Sequence, residues 1–137
     1  MEQKDYLLRE IEKIGAIISA IRQRLFGGDN QNLAITIEKQ VEDMKGMLLY
    51  ETSFDLDKFL ILNTIDSNEY ITSLKGYSIE NIEILAECMY QIGFSDTSSN
   101  SKIYMERALQ LYELCSLESK TYSLQRESNI AALKDAL

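Results

Sequence analysis

Apolar residues recur along this chain at intervals of three and four, the period of one face of an α-helix. Near the amino terminus, Leu7, Ile11, Ile14, Ile18, Ile21 and Leu25 are spaced 4, 3, 4, 3 and 4 apart. The stripe predicts a long first helix over about residues 3–26 and also fits a heptad a/d seam. Tyr6, Leu8 and Ile17 widen its apolar arc. A helix this greasy belongs at the centre of a bundle, and the same stripe would also serve as the contact surface of a homodimer. Gly27-Gly28-Asp29-Asn30 stops it, and Leu33, Ile37, Val41, Met44, Met47 and Leu48 mark a second helix over about Gln31–Tyr50.

Shorter elements follow. Phe59, Leu60 and Leu62 mark a third helix over about Leu56–Thr64. Asp66 and Glu69 have capping-box spacing, which predicts a short fourth helix over about residues 67–75, closed by Gly76. Ser78 reads as the N-cap of a fifth helix, whose inner face is Ile82, Leu85, Ala86, Met89 and Tyr90 and whose stop is Gly93. The polar run from Phe94 to Ser101 reads as an exposed loop, the segment where mobility is expected. A sixth helix is expected over about Lys102–Leu117 and a seventh over about Tyr122–Ala136. The fold class is therefore all-α, six or seven helices packed as antiparallel hairpins in a single domain over residues 1–137.

Composition strengthens this reading. The 137 residues include no proline, where average usage of ~5% would give about seven, so the commonest helix breaker is missing. Val41 is the one valine, which weighs against a sheet. The net charge is −8, a balance that disfavours a nucleic-acid partner. That charge is uneven. Residues 1–28 hold five basic and four acidic side chains, whereas residues 29–137 hold nine and 18. The first helix is thus the least self-repelling surface for docking. The longest apolar stretch, Ile14 to Ile21, is far short of the ~20 residues that cross a bilayer, and the mixed-charge opening does not read as a signal peptide. No membrane association and a cytoplasmic location are the expectations. Cys88 and Cys115 lie within apolar helical patterns and are expected to be buried, reduced thiols.

In the carboxy-terminal half a family pattern can be recognised. Ile82, Leu85-Ala86, Met89-Tyr90 and Gly93 resemble the first helix and turn of a tetratricopeptide repeat, and Ala108, Leu109, Tyr112 and Cys115 resemble its second helix. The resemblance implies a hairpin over about residues 78–119 in a repeat-like αα arrangement, with small residues allowing close approach. It departs from the family in the Ser/Asn-rich stretch between the helices and in Ser119-Lys120 where a proline is usual. One copy is present, so a long binding solenoid is not implied. The segment from Asp5-Tyr6-Leu7-Leu8 through Leu25-Phe26-Gly27 also resembles the start of an uncharacterised family of small bacterial helical proteins, which implies a helical fold and a bacterial origin, and no activity.

Candidate chemistry is sparse. Histidine is absent, and with it the commonest general base and every Ser-His-Asp or Cys-His arrangement. Asp55-Leu-Asp57 is a fragment of a calcium loop without its glycine and terminal glutamate, and no phosphate-cradling glycine loop is present. Glu80, Glu83 and Glu87 share one helix face, the spacing with which helical nucleotide hydrolases hold magnesium; the alternative is a solvated acidic face. Tyr90, Tyr104 and Tyr112 are candidates to line a partner groove. The expectation is a non-enzymatic interaction or scaffold module with no cofactor, a protein partner of unknown identity, and a homodimer contact through the first helix. A metal-dependent small-molecule hydrolase built on the three glutamates is the alternative.

Overall fold

The three–four periodicity is realised as helices. The computed structural model describes residues 2–26, 37–95 and 100–137, which form α1 (Glu2–Phe26), α2 (Ile37–Thr52), α3 (Leu56–Ile61), α4 (Thr64–Ser73), α5 (Ile79–Ser95), α6 (Ser101–Glu118) and α7 (Leu124–Ala136). Among the described residues there is no strand. The glycine stop at residues 27 and 28, the expected second-helix start at Gln31 with Leu33, and the middle of the Ser/Asn-rich loop (96–99) lie outside the described residues.

Where the ends differ from expectation, local hydrogen bonding explains the difference. The second helix runs on to Thr52 and closes without glycine: Ser53 takes φ 63°, Ser53 N–H donates to the Leu49 carbonyl at 3.2 Å, and Phe54 N–H donates to that of Leu48 at 3.3 Å. The bond from Ser53, four residues back, is that of a left-handed αL cap, and the turn is held by burial of both Leu48 and Phe54. The fourth helix starts three residues earlier than its expected box. Asn63 is the N-cap: its side-chain oxygen accepts from Asp66 N–H at 2.7 Å, and its amide donates to the Asp66 carboxylate at 3.0 Å. Gly93, read as a stop, lies inside α5, because a Cβ there would come 2.7 Å from Met105 Cγ. It is a close-approach glycine between two helices.

Packing directions follow from the cross-helix contacts. α5 and α6 are antiparallel, since Cys115 near the end of α6 meets the Ile79 carbonyl at the start of α5 and Met105 meets Gly93. Ala86 and Ala108 are fully buried at this pairing. α1 and α5 run in the same direction: Asn81 donates to the Ile11 carbonyl at 2.9 Å, and one turn and a half further on Arg22 meets Glu87 at 2.6 Å. Arg24 near the end of α1 contacts Met47, while Thr52 at the end of α2 bonds Tyr77, next to the Gly76 that packs on Glu10 and Ile14 of α1, so α2 returns antiparallel to α1. The expectation of antiparallel hairpins thus holds for α1–α2 and α5–α6, with the parallel α1–α5 contact joining them. Phe54, on the link between α2 and α3, anchors an aromatic cluster with Phe59, Tyr70 and Tyr77 at centroid distances of 5.4–5.7 Å.

Candidate functional site

A groove lies between the start of α4 and the exposed face of α6. Its volume is about 520 Å³, and Asn63, Asn68, Gln110, Leu109, Leu114 and Leu117 contribute to its walls. Helical spacing makes it. Glu106, Gln110, Glu113 and Leu117 fall three and four apart and form one stripe of α6, flanked by Leu109 and Leu114. The opposite wall is the Asn63 cap that starts α4, so the cap shapes the groove as well as the helix.

Arg107 forms the base of the groove and is 9% exposed. One guanidinium nitrogen donates to the Leu60 carbonyl at 3.2 Å and to that of Leu62. The other donates to Ser67 Oγ at 3.3 Å and to Gln110 Oε1 at 2.6 Å. Leu60 and Leu62 end α3, so the cation sits at the negative end of that helix and also lies over the Phe59 ring, 5.6 Å from its centroid. Among the described residues it forms no ion pair, and its Nε–H has no acceptor. The Gln110 amide donates in turn to Ser67 Oγ at 2.7 Å and Asn68 Oδ1 at 2.8 Å. Arg107 and Gln110 therefore tie α3, α4 and α6 into one network. The outer face of the groove is different: Glu106 and Glu113 are both exposed.

The residues singled out from sequence are distributed otherwise. Glu80, Glu83 and Glu87 do share a cleft of about 280 Å³ beside Ser119, Thr121 and Arg126. They do not stand open to water as a set. Glu83 is bound by the buried Arg126 at 2.7 Å and Glu87 by Arg22 at 2.6 Å, which leaves Glu80 as the exposed member. Among the described residues no three acidic or thiol side chains converge in the way metal ligands would. The tyrosine groove is not formed. Tyr112 is fully buried, its hydroxyl accepting from the Asn129 amide at 2.9 Å, and Tyr104 is 5% exposed; Tyr90 alone is half-exposed, its ring tilted against that of Phe94. In the α1 stripe Ile14, Ile18 and Ile21 belong to the chain's own core, Ile11 is partly covered and Leu7 is 47% exposed. The Leu25 side chain lies outside the described residues.

Compared with protein-family models, with curated proteins and with solved structures, the chain matches none.

Both cysteines are buried, and burial pushes the thiols of Cys88 and Cys115 up to about 12 from 9.0. Neither is activated as a nucleophile at neutral pH. Folded thiols keep their protons where unfolded ones lose them, so stability should fall as pH rises from about 9 toward 12. At pH 8 a thiol reagent should label the native protein only as fast as the chain opens. Immediate labelling of both cysteines under native conditions would contradict this burial. Among the described helices, none is long and apolar enough to cross a membrane.

Proposed function

We propose that the protein is a non-enzymatic interaction module whose partner-receiving surface is the α4–α6 groove. The observation that carries this reading is the contrast at that groove: an internally bonded polar base under an open, leucine-flanked wall. Arg107 and Gln110 are committed to the fold, whereas Leu117 is 83% exposed beside them. A rigid floor with exposed apolar anchors is the arrangement that captures a peptide or a helix. The antiparallel α1–α2 and α5–α6 hairpins, joined by the parallel α1–α5 contact, support reading the helices as repeat-like pairs. Self-association through α1 would be confined to its amino-terminal end, where Tyr6, Leu7 and Leu8 are 59, 47 and 48% exposed. The hydrolase alternative gains nothing from Glu83 and Glu87, whose charges are matched by arginines.

The test uses Leu117→Arg, a change at an exposed position that the fold tolerates. Immobilised wild-type protein should retain a defined partner from its source cells, and the variant should retain at least ten-fold less. Equal retention by the two proteins would remove the groove from the proposal.

A further inference from the structure

Resting on the reading of the α4–α6 groove as a docking surface, we infer that its occupant is a basic amphipathic segment, with cationic side chains about two helical turns apart around an apolar anchor. The argument is charge complementarity. Five donors belong to Arg107, and four contacts from its terminal nitrogens go inward, to Leu60, Leu62, Ser67 and Gln110. Its cation is therefore spent on the floor of the groove and offers nothing at the mouth. Among the residues lining the groove, the other formal charges are Glu106 and Glu113, both exposed and neither in an ion pair among the described residues. The face a partner meets is thus negative, in a chain whose net charge is −8.

The spacing adds detail. Glu106 and Glu113 are seven residues apart on α6, so their backbone positions are about 10.5 Å apart along the helix at ~1.5 Å rise per residue. A partner helix lying along α6 would meet both with Lys or Arg at positions i and i+7. Leu109, between the two glutamates, and Leu114 and Leu117, just beyond Glu113, take up an apolar side chain of the partner. A partner with acidic side chains would meet like charge at Glu106 and at Glu113, which is how the surface discriminates.

Selection from a random helical-peptide display library decides the matter. Peptides retained by the full-length chain should be enriched in leucine flanked by Lys or Arg at i and i+7. The double variant Glu106→Lys, Glu113→Lys should lose those peptides by ten-fold or more and select acidic ones instead. Both positions are exposed, and circular dichroism of the variant verifies that the helices persist. Retained peptides that are acidic or uncharged, yet lost on Leu117→Arg, would overturn the basic occupant and leave the groove standing. Retention that ignores Leu117→Arg, or no retention, would overturn both. Enrichment of a sequence from this chain itself, with dimerisation seen by sedimentation, would replace the foreign partner with a second copy and overturn the inference unless that sequence is basic.

Discussion

Replacing Gly76 by alanine should lower the stability of this protein by about 3–5 kcal/mol and its melting midpoint by about 10–20 °C. Gly76 sits in the turn between α4 and α5, where Tyr77 N–H donates to the Leu74 carbonyl at 3.2 Å and the glycine holds φ at +85°. The third position of this turn is held at positive φ, as in a type II turn, a region that costs an L-residue ~1–2 kcal/mol. The second penalty is steric. A Cβ on Gly76 would come 2.6 Å from Ile14 Cγ1 and 2.9 Å from the Glu10 carbonyl oxygen. The first could be relieved by a rotamer change; the second is backbone of α1 and moves only if α1 moves. The turn would also release its carbonyl, which accepts from the Asn81 amide at 2.7 Å, the residue that fastens α5 to α1. Urea titration of wild type, Gly76→Ala and the exposed control Gly46→Ala would measure it. Nothing lies within 4 Å of a Cβ at Gly46, so that control should be neutral or stabilising, since alanine is the better helix former. A loss under 1 kcal/mol at Gly76 would show that the turn relaxes freely and that the α1–α5 contact is looser than these distances require.

Gly76 also shows what kind of information a sequence carries. Its role as a boundary is local, encoded in the polar residues before it and the apolar period after it, so the end of the fourth helix, expected at about 75 and found at Ser73, was legible to within two residues. Gly93 looks the same in one dimension and does something else. Its reason for being glycine is Met105, on a different helix, and no local pattern contains that neighbour. Ser53 is the converse, a left-handed cap without the glycine that would have announced it. The α1 stripe was legible because burial follows period: Ile14, Ile18 and Ile21 are 1, 0 and 3% exposed. Which chain covers a stripe is not in the period, and here α2 and α5 of the same chain do so along most of its length.

The candidate site was less legible for a related reason. Charged residues on an amphipathic helix read as the wet face, and for Glu106 and Glu113 that reading holds. Arg107 and Arg126 are counterexamples, 9 and 4% exposed: Arg107 reaches the loose carbonyls at the end of α3, and Arg126 reaches the Thr121 carbonyl in the link before its own helix and the Glu83 carboxylate on α5. Arginine can do this with five donors in a fixed plane. The one available signal was position: Arg107 precedes Ala108 and lies four residues before Leu111, close to the apolar arc of its helix. Glu83 and Glu87 share a face as their spacing predicted, but the arginines that neutralise them come from α7 and α1, 43 and 65 residues away.

Arg107 also provides the sharpest test of how the groove is built. Arg107→Ala should destabilise the protein by about 3–5 kcal/mol, through loss of a buried cation's hydrogen bonds and the space left behind. The Leu60 and Leu62 carbonyls would lose their donor, and Ser67 and Gln110 would lose theirs. Arg107→Met restores most of the volume and none of the donors, so it separates packing from hydrogen bonding; about 2–3 kcal/mol should remain lost. Arg107→Lys keeps the charge but supplies a single compact ammonium, which cannot reach both carbonyls and Gln110 together, and should fall between the two. The damage should be local. α5 and α6 are held by their own buried seam, whereas α3 and α4 are short and depend on the network. Hydrogen exchange should therefore show residues 56–73 losing protection in Arg107→Met, with the α5–α6 amides little changed. Binding at the groove should fall with it, because Asn63 and Asn68 keep their places only while α4 stays docked. Uniform loss of protection across all helices would mean that Arg107 supports the whole fold, and then the groove could not be altered apart from it.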